Sequence, residues 1–350
     1  MSYKFNPSDA ISSEFGIFGL PFTEEQAKVV LLPVPWEATT SYGRGASKGP
    51  EMVRSASEQI DLFDLETGKA YESGYFMREI PEWILQLNKE AKAKAQEVIT
   101  MRLNLSEDTE KFERLTKDVN AASDRVSEWV HNQCLEILSK GKWLGLVGGD
   151  HSTPFGCIQA VSDFYKGDVG ILHIDAHADL RNSYQGFTQS HASIMHNVIN
   201  KINIKKLVQV GIRDFCEEEY DLIQSKKGQI RTFFDMELKK RLLEGDSWKK
   251  ICEDIVAELP QNVYISFDID GLDPAFCPHT GTPVPGGMTP DQIFYLFNAI
   301  YSAGKNIVAF DLNEVSDGDT EEAEWDGNVG ARMLYKLCGW LVKSHERMSR

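Results

Sequence analysis

Short apolar runs and longer amphipathic stretches alternate along the chain. The runs Lys28–Pro33, Trp143–Val147, Val169–Ile174, Lys206–Val210, Gln229–Thr232, Val263–Ile269 and Ile307–Leu312 are mostly rich in Val, Ile, Leu or Phe, and several are nearly apolar throughout. A strand with one wet face alternates apolar and polar residues, whereas a strand covered on both faces need not. The pattern therefore predicts parallel strands buried inside a sheet. Between them, Ala122–Lys140, Thr153–Phe164, His191–Asn200, Ser247–Glu258, Pro290–Ala303 and Gly330–Ser344 predict as helices. Strand–helix alternation implies an α/β fold with right-handed crossovers. The segment from Glu72 to Asp124 breaks the rhythm. It is rich in Glu, Lys and Arg and predicts as a helical excursion packed outside the sheet, not as a second domain. With no internal repeat and no low-complexity linker in view, residues 1–350 are expected to form one domain.

Charge narrows the partners. The net charge is −16, from 53 acidic and 37 basic side chains. Such a chain repels phosphate backbones and anionic membrane surfaces, so neither nucleic acid nor membrane is expected as a partner, while an anionic pocket for a cationic substrate is compatible with it. The cysteines Cys134, Cys157, Cys216, Cys252, Cys277 and Cys338 are scattered and include no Cys-x-x-Cys pair. Reduced thiols in a cytoplasmic protein are expected. Met1–Gly19 shows no basic start followed by a long apolar run, so no signal peptide is visible. No stretch approaches the roughly 20 apolar residues of a membrane span.

Three segments place polar clusters just after predicted strands: Gly148-Gly149-Asp150-His151-Ser152, Asp175-Ala176-His177-Ala178-Asp179, and Ser266-Phe267-Asp268-Ile269-Asp270-Gly271-Leu272-Asp273-Pro274. In a parallel sheet the C-terminal strand ends share one rim, where ligands bind. The second and third clusters have i, i+2 spacing, which in extended backbone points side chains to one side. Asp175, His177 and Asp179 are thus expected to converge, as are Asp268 and Asp270. Like carboxylates gathered at a buried rim are costly unless cations neutralise them. Mixed His and Asp ligands suit borderline divalent ions, and more carboxylates than one ion needs suggest bridging between two. Taken singly, each piece has a plainer explanation: a strand-end Asp as helix cap or turn former, His151 as a satisfied core histidine. The conjunction favours a metal site.

In this order the three segments resemble the signature motifs of the ureohydrolases, the family of arginases, agmatinases, guanidinobutyrases, formimidoylglutamases and guanidine hydrolases. Pro33-Val34-Pro35 through Gly45, Gly49-Pro50 and Arg54, then Gly281-Thr282-Pro283 with Pro285-Gly286-Gly287, then Asp311-Leu312-Asn313-Glu314-Val315 extend the likeness over about residues 28–342. Glu72–Asp124 matches least. The resemblance implies a three-layer α/β sandwich around a mostly parallel eight-stranded sheet. It implies two divalent ions per subunit, usually Mn²⁺, with Ni²⁺ the alternative. His151, Asp175, Asp179 and Asp268 would hold one; His177, Asp175, Asp268 and Asp270 would hold the other. It also implies a homo-oligomer, a trimer or hexamer.

The chemistry implied is hydrolysis of a guanidinium carbon by water that two cations have acidified. Glu314 would pair with the substrate guanidinium, and Asp270 would share in proton transfer to the leaving amine. His191 lies close to where the family keeps a histidine for proton shuttling or substrate contact; a capping role at a helix start is the alternative, with Ser190 before it as N-cap and His196 structural. Arginases resemble the chain at Gly211-Ile212-Arg213-Asp214 but carry an aspartate where Cys216 stands, to meet the substrate α-ammonium. A thiol does not replace a charge-assisted bond of that kind. The tract His191-Ala192-Ser193-Ile194-Met195 departs from the arginase and agmatinase patterns. Trp325 is weighed as a pocket wall or a core aromatic, and Arg181 as a carboxylate partner or an outside stacker. The favoured substrate is guanidine or a short guanidino compound, the choice that points to the guanidine hydrolase branch. Agmatine, a guanidino acid, arginine and formimidoylglutamate remain alternatives. Two other readings are a deacetylase-like metal amidohydrolase, disfavoured by the single histidine of Gly-Gly-Asp-His-Ser, and a non-catalytic binding paralogue, disfavoured by the full set of ligand positions.

Overall fold

The strands are β1 (Val29–Val34), β2 (Tyr75–Met77), β3 (Trp143–Gly148), β4 (Gly170–Ile174), β5 (Leu207–Ile212), β6 (Ile230–Phe234), β7 (Asn262–Asp268) and β8 (Asn306–Asn313). In the computed structural model, which describes residues 5–7, 15–40, 45–105, 107–318 and 324–349, they pair in parallel as one sheet of order β2-β1-β3-β8-β7-β4-β5-β6. The helices among the described residues are α1 (Gly49–Ser57), α2 (Glu82–Leu103), α3 (Thr109–Ser139), α4 (Phe155–Phe164), α5 (Ile194–Lys201), α6 (Glu217–Ser225), α7 (Asp235–Leu243), α8 (Trp248–Glu258), α9 (Pro290–Ser302) and α10 (Glu324–Met348). None is long and apolar enough to cross a membrane.

The apolar strands are apolar because both faces are covered. In β1, Val29 and Leu31 enter one core with Val53 of α1, Ile251 of α8, Ile293 of α9 and Leu334 of α10. Val30 and Leu32 enter the opposite core with Val130 of α3, Ile158 of α4, Val198 of α5 and Ile223 of α6. The result is the expected three layers, with successive residues of one strand serving different cores.

Each of the seven predicted strands is present, with ends shifted by a residue or two. The region Glu72–Asp124 needs correction. It is not helix throughout: Tyr75–Met77 forms an edge strand on Val29–Leu31, too short to show a period. Beyond it, α2 and the first half of α3 make the helical excursion, and the predicted helix Ala122–Lys140 is only the second half of α3. Helices α1, α6 and α7, each of 9 residues, were absent from the sequence reading. The strand order matters most for function. Strands β3, β8, β7 and β4 are consecutive neighbours at the sheet centre, so the segments that follow them meet on one rim.

Candidate metal centre and active site

The turn after β3 is built around close backbone contact. A Cβ on Gly149 would sit 2.0 Å from the Trp36 carbonyl oxygen, so only glycine fits. Gly149 N donates to Val34 O at 2.8 Å and Asp150 N to Trp36 O at 2.7 Å, which fixes where His151 begins. His151 is buried. Its Nδ1 faces three carboxylates: Asp175 at 2.9 Å, Asp268 at 3.2 Å and Asp179 at 3.3 Å. Its Nε2 lies 2.9 Å from the Ser266 hydroxyl, which donates onward to Asp311 at 3.1 Å.

A second group adjoins the first. His177 Nδ1 lies 3.1 Å from Asp270 and 3.5 Å from the other oxygen of Asp175. Two sets of side chains are thus close enough to share an ion: His151, His173, Asp175 and Asp179, and Asp175, His177 and Asp270. Asp175 belongs to both. Asp268 faces His151, while its other oxygen accepts from Asp270 N at 2.9 Å.

Convergence does not arise as the spacing suggested. Strand β4 ends at Ile174 and β7 at Asp268, so neither motif is extended throughout. Asp179 adopts a left-handed backbone with φ 53°, and its carbonyl accepts from Met195 and His196 at 3.0 and 3.1 Å. Asp270 lies in a 3₁₀ turn, Ile269–Gly271, that Asp268 caps. Tight turns, not a pleated strand, bring these carboxylates together.

The electrostatics fit cations. Burial pushes the His151 imidazole toward neutrality, but hydrogen bonds to Asp175, Asp179 and Asp268 overcome this and hold its pKa well above the usual histidine value. For His177 burial likewise loses, to Asp270 and Asp175, and the pKa is pushed up to about 12. Burial followed by the Asp175 charge raises Asp179 to about 7. Asp268 is driven well above the carboxylate range by burial, then by Asp270 and Asp175. A buried set of carboxylates that cannot all ionise unaided is a donor set for divalent ions.

His173 was missed. It stands inside an otherwise apolar strand two residues before Asp175, a signal available in the sequence. Its Nε2 lies 2.8 Å from Asp175; its Nδ1 lies 3.0 Å from Gln209 Nε2, and Thr232 donates to Gln209 Oε1 at 2.9 Å. This buried chain across β4, β5 and β6 orients Asp175.

Above the two groups opens a cleft of about 160 Å³ whose lining includes His177, Asp179, His191, Tyr184, Asp214 and Thr282. His191 is among them, and its Nδ1 is buried without a hydrogen-bond partner. The capping role falls instead to Ser190, whose hydroxyl accepts from Ala192 N at 3.2 Å. Burial, then the charges of His177 and His151, push His191 down to about 4. Arg181 also lines the cleft, paired with Glu219 at 3.7 Å and lying over the Tyr184 ring at 5.3 Å. Glu314 is buried with φ 62°, held by its N–H on Gly149 O at 2.9 Å and by the Thr280 hydroxyl on its carbonyl at 2.8 Å. One of its carboxylate oxygens accepts from His151 N at 2.9 Å.

Two pocket candidates lie elsewhere. Trp325 is 50% exposed and donates to Ala275 O at 3.1 Å, outside the lining of this cleft. Cys216 is the N-cap of α6 and is also outside that lining; the exposed acid among its described residues is Asp214. The case for a compact pocket loses Trp325, because the surface start of α10 faces water.

A model of the arginase family matches residues 27–339. The chain belongs to the arginase family. As a ureohydrolase it is a hydrolase of carbon–nitrogen bonds in linear amidines. It is 32% identical over 326 residues to the N(1)-aminopropylagmatine ureohydrolase of Thermus thermophilus, covering 93% of each chain. It is 28% identical over 321 residues to the agmatinase of Bacillus anthracis, covering 91% of this chain and 93% of the relative. The proclavaminate amidino hydrolase of Streptomyces clavuligerus shares the fold, with TM-score 0.73 at 22% identity, over 97% of this ureohydrolase and all of that chain.

Proposed function

We propose that this ureohydrolase cleaves a guanidino compound that carries an amine tail and no α-amino-acid head, agmatine or its aminopropyl derivative, releasing urea and the amine. The charge of the cleft carries this reading. Among the described residues, Arg181 is the one Lys or Arg in its lining, and Glu219 and Tyr184 engage it, whereas the Asp214 carboxylate is exposed at the wall. An amine finds a partner there and a carboxylate tail does not. The names of two relatives, the N(1)-aminopropylagmatine ureohydrolase and the agmatinase, agree with an amine tail, while another, 27% identical, is a guanidinobutyrase. Guanidine itself is the second reading, favoured by the Tyr184 and His191 rings, whose centroids are 6.0 Å apart.

In this reading His151, Asp175, Asp179 and Asp268 hold one divalent ion, and His177, Asp175, Asp268 and Asp270 the other, with Mn²⁺ first and Ni²⁺ as alternative. Bound there, the ions would supply a nucleophile from water at neutral pH and offset the carboxylate charge. Ser266 and Asp311 hold His151 through Nε2, and Gln209 holds His173 against Asp175. Glu314 accepts the guanidinium with the oxygen that the His151 amide leaves free. Asp270, which the Thr282 hydroxyl approaches at 3.5 Å, passes a proton to the leaving amine. His191, neutral and unpartnered at Nδ1, relays protons at the cleft wall. The chain acts as one catalytic domain and self-associates as a trimer or hexamer.

The test is urea release from a panel of guanidine, agmatine, aminopropylagmatine, 4-guanidinobutyrate and arginine, with Mn²⁺ and Ni²⁺ supplied separately. The highest kcat/KM is expected for an amine-tailed compound. Guanidinobutyrate ranking first overturns the charge argument, and arginine ranking first overturns the exclusion of an α-amino-acid head.

A further inference from the structure

Phe187 lies in the loop between Asp179 and His191, yet its ring is fully buried. It is buried outside the two cores of the sheet, in a separate apolar cluster formed by Ala95, Val98 and Ile99 of α2 with Leu115 and Val119 of α3. The loop reverses at this point. Tyr184 N donates to Phe187 O at 3.0 Å and Phe187 N returns to Tyr184 O at 2.9 Å. The two residues between, Gln185 and Gly186, have φ 56° and 99°, as a two-residue turn with left-handed centres requires. Helix α3 grips the turn further. Asn120 donates to Gly186 O at 3.4 Å and accepts from Thr188 N at 3.1 Å, and Gln189 donates to Asp124 at 2.6 Å.

The same hairpin holds a second loop. Asn88 of α2 accepts from Glu37 N at 2.9 Å, and Lys92 pairs with the Glu37 carboxylate, whose other oxygen accepts from Gly45 N at 2.9 Å. The excursion thus ties down both the segment after β1 and the segment that follows Asp179.

At the other end of the Phe187 turn stands Tyr184, on the cleft wall beside His191. We propose that the α2–α3 hairpin is a brace that sets the reach of the substrate cleft, with Phe187 as the positioning residue that acts through Tyr184. The proposal rests on the guanidino-hydrolase reading above. A wall pinned by a buried aromatic ring is held in one place, and the length of tail accepted depends on where it is held. Without the Phe187 ring, the turn keeps its hydrogen bonds to α3 but loses its apolar anchor, and Tyr184 is free to move off the wall.

The experiment compares kcat and KM for guanidine and agmatine in Phe187→Ala, Phe187→Leu and Asn120→Ala, with metal content and Tm measured alongside. Lys94→Ala is the control; it breaks the exposed Lys94–Asp118 pair between α2 and α3 without touching the loop. Phe187→Ala is expected to change the agmatine-to-guanidine ratio of kcat/KM by about tenfold, chiefly through KM for agmatine, at unchanged metal content. Phe187→Leu should restore most of it, Asn120→Ala should shift it the same way by less, and Lys94→Ala should leave it alone. A ratio constant to within about twofold in both Phe187→Ala and Asn120→Ala overturns the proposal, whatever the Tm does. If Phe187→Ala does not fold, Asn120→Ala against Lys94→Ala decides. A wild-type enzyme that hydrolyses no guanidino compound defeats the functional reading itself, an outcome separate from an unmoved ratio.

Discussion

Nδ1 of His151 lies 2.9 Å from one oxygen of Asp175, and the other oxygen of Asp175 lies 3.5 Å from Nδ1 of His177. One carboxylate therefore joins the turn after β3 to the turn after β4 and both halves of the centre. Asp175→Ala is expected to deplete both ions and remove more activity than the roughly 10–100-fold that loss of an outer-shell partner costs. Metal analysis of the purified variant checks this; retention of two ions at full activity rules out the shared role. Chelation of the wild type should lower Tm, because the carboxylates then face one another without cations.

Nδ1 of His191 is buried without a hydrogen-bond partner, and the residue lines the cleft beside His177 and Asp179. His191→Ala should lower kcat by about a hundredfold with metal occupancy unchanged. Because burial holds its pKa at about 4, a change of wild-type activity between pH 6 and 8 should not report His191. Loss of metal in the variant would make His191 a ligand instead.

One oxygen of Glu314 accepts from the His151 amide, and in the proposed reading the other meets the substrate guanidinium. Glu314→Gln preserves the acceptor to that amide and removes the charge. The variant should lose more than about tenfold in kcat/KM for every guanidino substrate while binding metal normally. An equal loss for all substrates is the signature of a contact with the shared guanidinium; a loss confined to one tail places Glu314 elsewhere.

Far from the cleft, His345 stacks on Trp143 with ring centroids 5.0 Å apart, and its Nε2 lies 3.2 Å from Val308 O. Burial pushes it down to about 4. An unfolded histidine titrates near about 6.5, so between these values the unfolded chain binds a proton that the folded chain refuses. The stability due to neutral His345 is complete above about pH 6.5 and is lost as pH falls toward about 4. His345→Gln should flatten the fall of Tm between pH 7 and 5, measured with metal in excess. Parallel Tm curves for variant and wild type would exclude the linkage.

Much of this was legible in the chain. Apolar strands, the order of the three polar motifs and the residue types at His151, Asp175, His177, Asp179, Asp268 and Asp270 are local properties, and local spacing carries them. Other features depend on which distant segments become neighbours. The central order β3-β8-β7-β4 is not the order of the sequence, and it alone sets Ser266 and Asp311 behind His151. The turns at Asp179 and Asp270, not strand pleating, aim the carboxylates. Trp325 and Cys216 look alike for pocket use in sequence, yet one faces water and the other caps α6, because exposure is a property of packing. The Glu72–Asp124 excursion read as an appendage, but Phe187, contributed from outside it, fills its core. The sequence determined which groups are available for chemistry, since their identity is covalent; the tertiary structure decided which of them meet and which face water, since contacts between residues far apart in the chain exist only once the sheet has formed.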